Sequence, residues 1–315
     1  MIVTQTSQIP ANDLHSLRPR TIIQPLHNSI PPELLPRFDP VYVEHHNKYN
    51  AGRLHTHEVP IEEFRKNPAK FVTAYGRAVG PDVFRITQQK IPVEGGEIAV
   101  RIFEPATIYD ELGNPKRRAA YVNFHGGGWV FGDLAVDHDF CKRVVHGLDG
   151  HLVAFDIDYR LAPENKFPVP VEDCWTAFNW VRSQKADEFH IDPNRMAVGG
   201  VSAGGHLSAV ISHLCRDSNI PLRLQVLGVP DWKISPMLAP NFSNLAPALV
   251  FTAEMDPLRD EGEVYAAKLK KAGCRVELTR MKGAPHTFIT LDAILESGKK
   301  YNAMVIEAMK RELSE

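Results

Sequence analysis

Short apolar runs that alternate with helical stretches confine this chain to few architectures. The runs occupy residues 120–124, 152–157, 196–201, 222–229, 248–252 and 275–279. Helical periodicity fills 139–147, 171–184, 205–216, 258–272 and 291–313. Strands separated by helices pair mainly in parallel, and the helices then cover both faces of the sheet. The expected fold class is therefore α/β. Ahead of this pattern, residues 84–91 and 97–103 read as strands joined through Glu94-Gly95-Gly96, a hairpin signal. Two amphipathic stretches, 41–49 and 61–79, precede any strand and read as helices, and residues 1–35 are polar and dotted with proline. The expected division is an arm with helices over 1–75 and a sheet-bearing domain over 76–315.

Composition removes several classes of partner. The chain carries 36 basic and 38 acidic residues, a formal charge of −2, which gives no electrostatic reason to expect nucleic acid. No run approaches the roughly 18 apolar residues of a membrane span. The first twenty residues lack the apolar stretch of a signal peptide, so the expected location is cytoplasmic. Cys141, Cys174, Cys215 and Cys274 are scattered without a Cys-x-x-Cys pair, which argues against a disulfide framework or a cysteine zinc site.

Gly200-Val201-Ser202-Ala203-Gly204 follows the apolar run 196–201 and opens a helix. A Gly-x-Ser-x-Gly pentad between strand and helix forms a sharp turn that exposes the serine hydroxyl. Ser202 is the candidate nucleophile. His125-Gly126-Gly127-Gly128-Trp129 directly follows the run 120–124. Bare backbone N–H groups there suit a developing oxyanion. The phosphate-binding glycine patterns are absent from this sequence. His125 is expected to orient the loop rather than to transfer protons.

A serine nucleophile needs a base, and the base needs an orienting acid. Asp256 lies just past the run 248–252, and His286 follows the last expected strand. The chain order Ser202, Asp256, His286 is the order used by α/β-hydrolases. Asp260 is the rival acid, expected on the following helix and ranked below Asp256.

These stretches together resemble the hormone-sensitive-lipase-like family of α/β-hydrolases, which includes arylacetamide-deacetylase-like enzymes. The matching residues are 125–129, 158–164, 167–174, 200–205, 256–261 and 286–288. The resemblance implies an eight-stranded α/β-hydrolase fold and a serine carboxylesterase that works without metal or cofactor. It implies an oxyanion hole from the N–H groups of Gly127, Gly128 and Ala203. It also implies bracing of the site by Gly126, Asp158, Tyr159, Arg160 and Glu164. The sequence departs from the family in two places. Val201 stands where an acidic residue is common. Only the 18 residues 230–247 connect two strands where the family carries several dozen more, part of its cap. The chain is thus expected to have an N-terminal helical cap and a shortened second cap segment, leaving an open pocket.

The same machinery hydrolyses amides, lactones and thioesters, or passes the acyl group to an alcohol. A non-catalytic binder on a hydrolase scaffold is a further reading; gibberellin receptors of this kind lack the catalytic histidine, whereas His286 is present here. The expected partner is a small-molecule ester, and a homodimer could cover the site in place of the missing cap.

Overall fold

The computed structural model describes residues 27–67, 76–228 and 236–314. One sheet holds β1 (Arg85–Val93), β2 (Gly96–Glu104), β3 (Arg118–Phe124), β4 (Leu152–Asp158), β5 (Ile191–Val201), β6 (Leu224–Gly228), β7 (Ala248–Met255) and β8 (Val276–Pro285). Their order is β1-β2-β4-β3-β5-β6-β7-β8. The first two pairings, β1 with β2 and β2 with β4, are antiparallel. From β4 through β3, β5 and β6 to β7 the neighbours run parallel. The helices are α1 (Pro40–Tyr49), α2 (Ile61–Lys66), α3 (His138–Gly147), α4 (Val169–Asn179), α5 (Ala203–Asp217), α6 (Arg259–Lys271) and α7 (Glu296–Leu313). This is the expected α/β-hydrolase architecture.

The chain forms two compact units. One takes the described residues up to Val79 together with Ala253–Pro257 and Met281–Tyr301; the other takes Gly80–Thr252, Leu258–Arg280 and Asn302–Glu315. In the second unit the central strands are buried at nearly every position, as near-continuous apolar runs require. Val122, Phe124, Phe155 and Ile157 share a core cluster with Cys174 and Phe178 of α4 and Leu207 and Ile211 of α5. A second cluster joins Leu227 and Val250 to Tyr265 and Leu269 of α6.

The hairpin closes where the sequence indicates. Val93 pairs with Gly96, and Gly95 has φ 73°, a value that glycine reaches without a side-chain clash. Its turn is tied to the rest of the unit by Arg160, whose Nη2 donates to the Glu94 carbonyl at 2.9 Å. The same guanidinium grips Asp173 of α4: Nε donates to Oδ2 at 2.8 Å and Nη2 to Oδ1 at 2.7 Å. The Arg160 backbone N–H adds a third bond to Asp173 Oδ2 at 3.0 Å. The Asp173 side chain is 0% exposed, so removing either partner strands a buried charge or its donors. Asp173→Ala is expected to destabilise the fold by about 3 kcal/mol or more, read as a lowered urea midpoint at unchanged slope.

Two helices differ from expectation. The helix expected over 61–79 is α2 only as far as Lys66; residues 76–79 are not helical, and 68–75 lie outside the described residues. The helix expected over 291–313 begins at Glu296, after a 3₁₀ turn at Phe288–Leu291. The stretch before Glu296 is engaged in other contacts. Asp292 Oδ1 accepts the Ala78 N–H at 2.8 Å, and Gly298 lies so close to Asp292 that a Cβ there would sit 2.8 Å from its Cα. The expected direct run from Val229 to Ser235 lies outside the described residues. The chain resumes with a 3₁₀ turn, Pro236–Leu238, and reaches β7 at Ala248. Among the described residues, no helix is long and apolar enough to cross a membrane.

Candidate active site

The second unit carries the serine and the glycine loop. Ser202 links β5 to α5 with φ 56° and ψ −119°, a backbone conformation that a side chain disfavours. Its N–H donates to Gly228 O on β6 at 2.6 Å, and its carbonyl accepts the His206 N–H at 3.0 Å. The turn survives because both flanking glycines admit main chain where a side chain would collide. A Cβ on Gly200 would sit 2.1 Å from Phe124 O, and one on Gly204 would sit 1.8 Å from the same oxygen. The end of β3 is thereby pressed onto the elbow.

The loop that leaves β3 lies against Ser202. A Cβ on Gly126 would be 2.8 Å from Val201 O and 3.7 Å from Ser202 Cβ. Gly127 and Gly128 follow with φ 131° and 62°. Gly127 O accepts from Val130 N and Phe131 N, which curls the loop back on itself. Among the described residues no hydrogen bond uses the N–H of Gly127 or Gly128. Ala203 opens α5, and the first N–H groups of a helix lack partners within it.

His125 is buried, and its Nδ1 donates to Gly126 O at 2.8 Å. Its ring stacks on Tyr159 at 4.3 Å, and the Tyr159 hydroxyl donates to His125 O at 2.7 Å. Both contacts hold the loop's first residue. Burial raises the Asp158 carboxyl above its usual range, partly offset by the His125 imidazole. Arg160 pairs with Asp173 rather than with Asp158. Glu164 is exposed. The sequence reading missed Asp173, although an acid on the apolar face of α4, beside Cys174 and Phe178, signals a buried partner.

The first unit carries the acid and the base. Asp256 follows β7, its side chain is 0% exposed, and its Oδ2 accepts from His286 Nδ1 at 2.7 Å. His286 follows β8, with its side chain 33% exposed. A carboxylate can accept but not donate, so the neutral imidazole carries its proton on Nδ1 and leaves Nε2 as a base. The strand ends that lead to the two residues are joined by a contact that has no sequence signal: Gly283 N–H on β8 donates to Glu254 Oε2 on β7 at 2.7 Å. The rival acid Asp260 lies on α6, 73% exposed, and pairs with Arg259 at 2.7 Å.

A family model described as the alpha/beta hydrolase fold matches residues 121–233 and 228–290. The chain belongs to the hormone-sensitive-lipase-like α/β-hydrolases. This hydrolase is 33% identical to a carboxylic ester hydrolase of Mycobacterium tuberculosis over 282 residues, 75% of this chain and 73% of that protein. It is 31% identical to an AB hydrolase superfamily protein of Schizosaccharomyces pombe, across 92% of this chain and 96% of that one. Among solved structures, a thermostable carboxylesterase cloned from a metagenomic library superposes with a TM-score of 0.73 at 32% identity, over 83% of this chain and all of that one.

The match to the yeast relative runs over 354 residues against 315 in this hydrolase, so at least 39 positions have no counterpart here. The family match itself falls into two stretches that meet at 228–233, the start of the short connection before β7.

Proposed function

We propose that this hydrolase is a serine carboxylesterase with the triad Ser202, Asp256 and His286. The observation that carries the reading is the strained Ser202 elbow beside a loop whose Gly127 and Gly128 N–H groups have no partner among the described residues, in a chain that also holds a buried Asp256–His286 pair. In the proposed reaction, Ser202 Oγ attacks the ester carbonyl carbon as His286 Nε2 takes its proton. The carbonyl π electrons move to oxygen, and the N–H groups of Gly127, Gly128 and Ala203 hold the resulting oxyanion. The tetrahedral intermediate collapses, the C–O bond to the alcohol breaks, and His286 returns its proton to that oxygen. Water then attacks the acyl-enzyme by the same sequence, with His286 again as base and acid. Asp256 keeps the imidazole in the required tautomer and stabilises the imidazolium. His125, Gly126 and Tyr159 support the oxyanion loop, and the Arg160–Asp173 pair supports the segment after β4. No metal or cofactor takes part in this scheme.

Esterase names recur among the relatives: a carboxylesterase of Mycobacterium tuberculosis, an arylesterase of Saccharolobus solfataricus and an ethyl acetate hydrolase of Pseudomonas putida. They support ester rather than amide or thioester chemistry. The shortened segment at 230–247 supports an open site that tolerates bulky acyl groups. The test is hydrolysis of p-nitrophenyl esters from acetate to octanoate. The expected result is turnover across the series with specificity constants that vary little with chain length. Absence of turnover on every ester would overturn the enzyme reading; sharp selectivity for acetate would overturn the open site alone. Adding a competing alcohol to the same assay separates transfer from hydrolysis by the product ratio.

A further inference from the structure

We propose that His27, His55 and Glu58 form a binding site for a divalent transition-metal ion of the zinc type, a clasp that fastens residue 27 to the turn at 56–58. The site plays no part in ester hydrolysis. The first observation is convergence. One ligand atom from each residue lies within 4.8 Å of the others, and all three residues are exposed to an incoming ion. His27 Nε2 stands 2.6 Å from Glu58 Oε2, and the rings of His27 and His55 lie 5.2 Å apart at 62°.

The second observation is that the main chain delivers these side chains. His27 and His55 are far apart in sequence, yet residue 27 is anchored next to the later segment. Gly52 N–H donates to His27 O at 2.6 Å, and His46 Nε2 donates to Asn28 O at 2.8 Å. On the other side, His55 N–H donates to Glu58 Oε2 at 2.6 Å, which holds the carboxylate over the short 3₁₀ turn Thr56–Glu58. An ion would therefore meet partly ordered ligands rather than a loose tail.

The donor set decides the class of ion. Two imidazoles and one carboxylate suit zinc, copper, nickel or cobalt, whereas calcium and magnesium favour oxygen alone. Bonds of about 2.0–2.2 Å to such an ion place tetrahedral ligand atoms roughly 3.3 Å apart. The His27–Glu58 contact has only to open by less than about 1 Å for the ion to replace the bridging proton. Water can take the fourth position.

The test is Zn²⁺ uptake by the chelator-stripped full chain, in competition with a chromophoric chelator. Wild type is expected to bind one equivalent and to melt at a higher temperature when saturated. His55→Gln and Glu58→Gln are each expected to weaken uptake by at least about tenfold and to lose the melting shift. His151→Gln, on an exposed histidine elsewhere, should bind as wild type does. All three ligand residues are exposed, so the variants keep their fold, and circular dichroism checks this. Uptake that is equal in wild type, His55→Gln and Glu58→Gln would place the ion elsewhere and overturn the proposal. Absence of one-equivalent uptake in wild type would leave only the His27–Glu58 ion pair and overturn it as well.

Discussion

Ser202→Ala should lower kcat on p-nitrophenyl acetate by about 10⁴–10⁶-fold. The hydroxyl is the only group that the change removes, and alanine meets the same backbone strain at φ 56°. The elbow is held from outside the residue, by Gly228 O and by the press of Phe124 O on Gly200 and Gly204. The variant should therefore keep its fold and its KM to within a few-fold, and the loss should fall on turnover. A phosphonate ester probe should add one mass increment to wild type, mapped to Ser202, and none to the variant. A variant that keeps a tenth of wild-type turnover would remove Ser202 from the mechanism.

Asp256→Asn carries the second large effect, a fall in kcat of about 10⁴-fold. Asparagine is nearly isosteric, so the buried position should tolerate it. The effect is on the imidazole. The carboxylate accepts from His286 Nδ1 at 2.7 Å with its side chain fully buried, which holds the proton on Nδ1. An amide can turn its NH₂ toward Nδ1, and the proton then moves to Nε2, where it blocks the base. The melting temperature should change little while turnover collapses. Asp260→Asn is the control: that residue is exposed and paired with Arg259, so activity should stay near wild type. If Asp260→Asn were the damaging change instead, the assignment of the acid would be reversed.

The parts of this protein that were legible in its sequence are those in which one local rule dominates. The runs at 120–124 and 152–157 are apolar at almost every position, and the strands they mark are buried on both faces. The serine pentad could be placed because its strand, turn and helix are contiguous. β8 was underread. It extends to Pro285, yet no position before Met281 is buried, and its end contains Gly283 and Pro285, residues that usually interrupt strands. Contacts from distant residues hold that end: Asp39 N–H donates to Gly283 O, and Glu254 accepts from Gly283 N. The first turns of the expected C-terminal helix were lost for a similar reason, since the Ala78 N–H claims Asp292 from over two hundred residues away. Arg160 was expected to brace the site, and its partner Asp173 lies thirteen residues on, across the start of α4. No local pattern names a partner at that distance.

The backbone at Ser202 has an evolutionary consequence. A non-glycine residue held in a disfavoured conformation costs on the order of 1–3 kcal/mol. Glycine would remove that cost at this one position while fitting every neighbour. Drift toward thermal robustness would therefore tend to erase the nucleophile, and only selection for turnover would retain the serine. Lineages of this fold that abandon chemistry would lose the hydroxyl at a gain in stability, so inactive descendants should accumulate more readily than active ones can be restored.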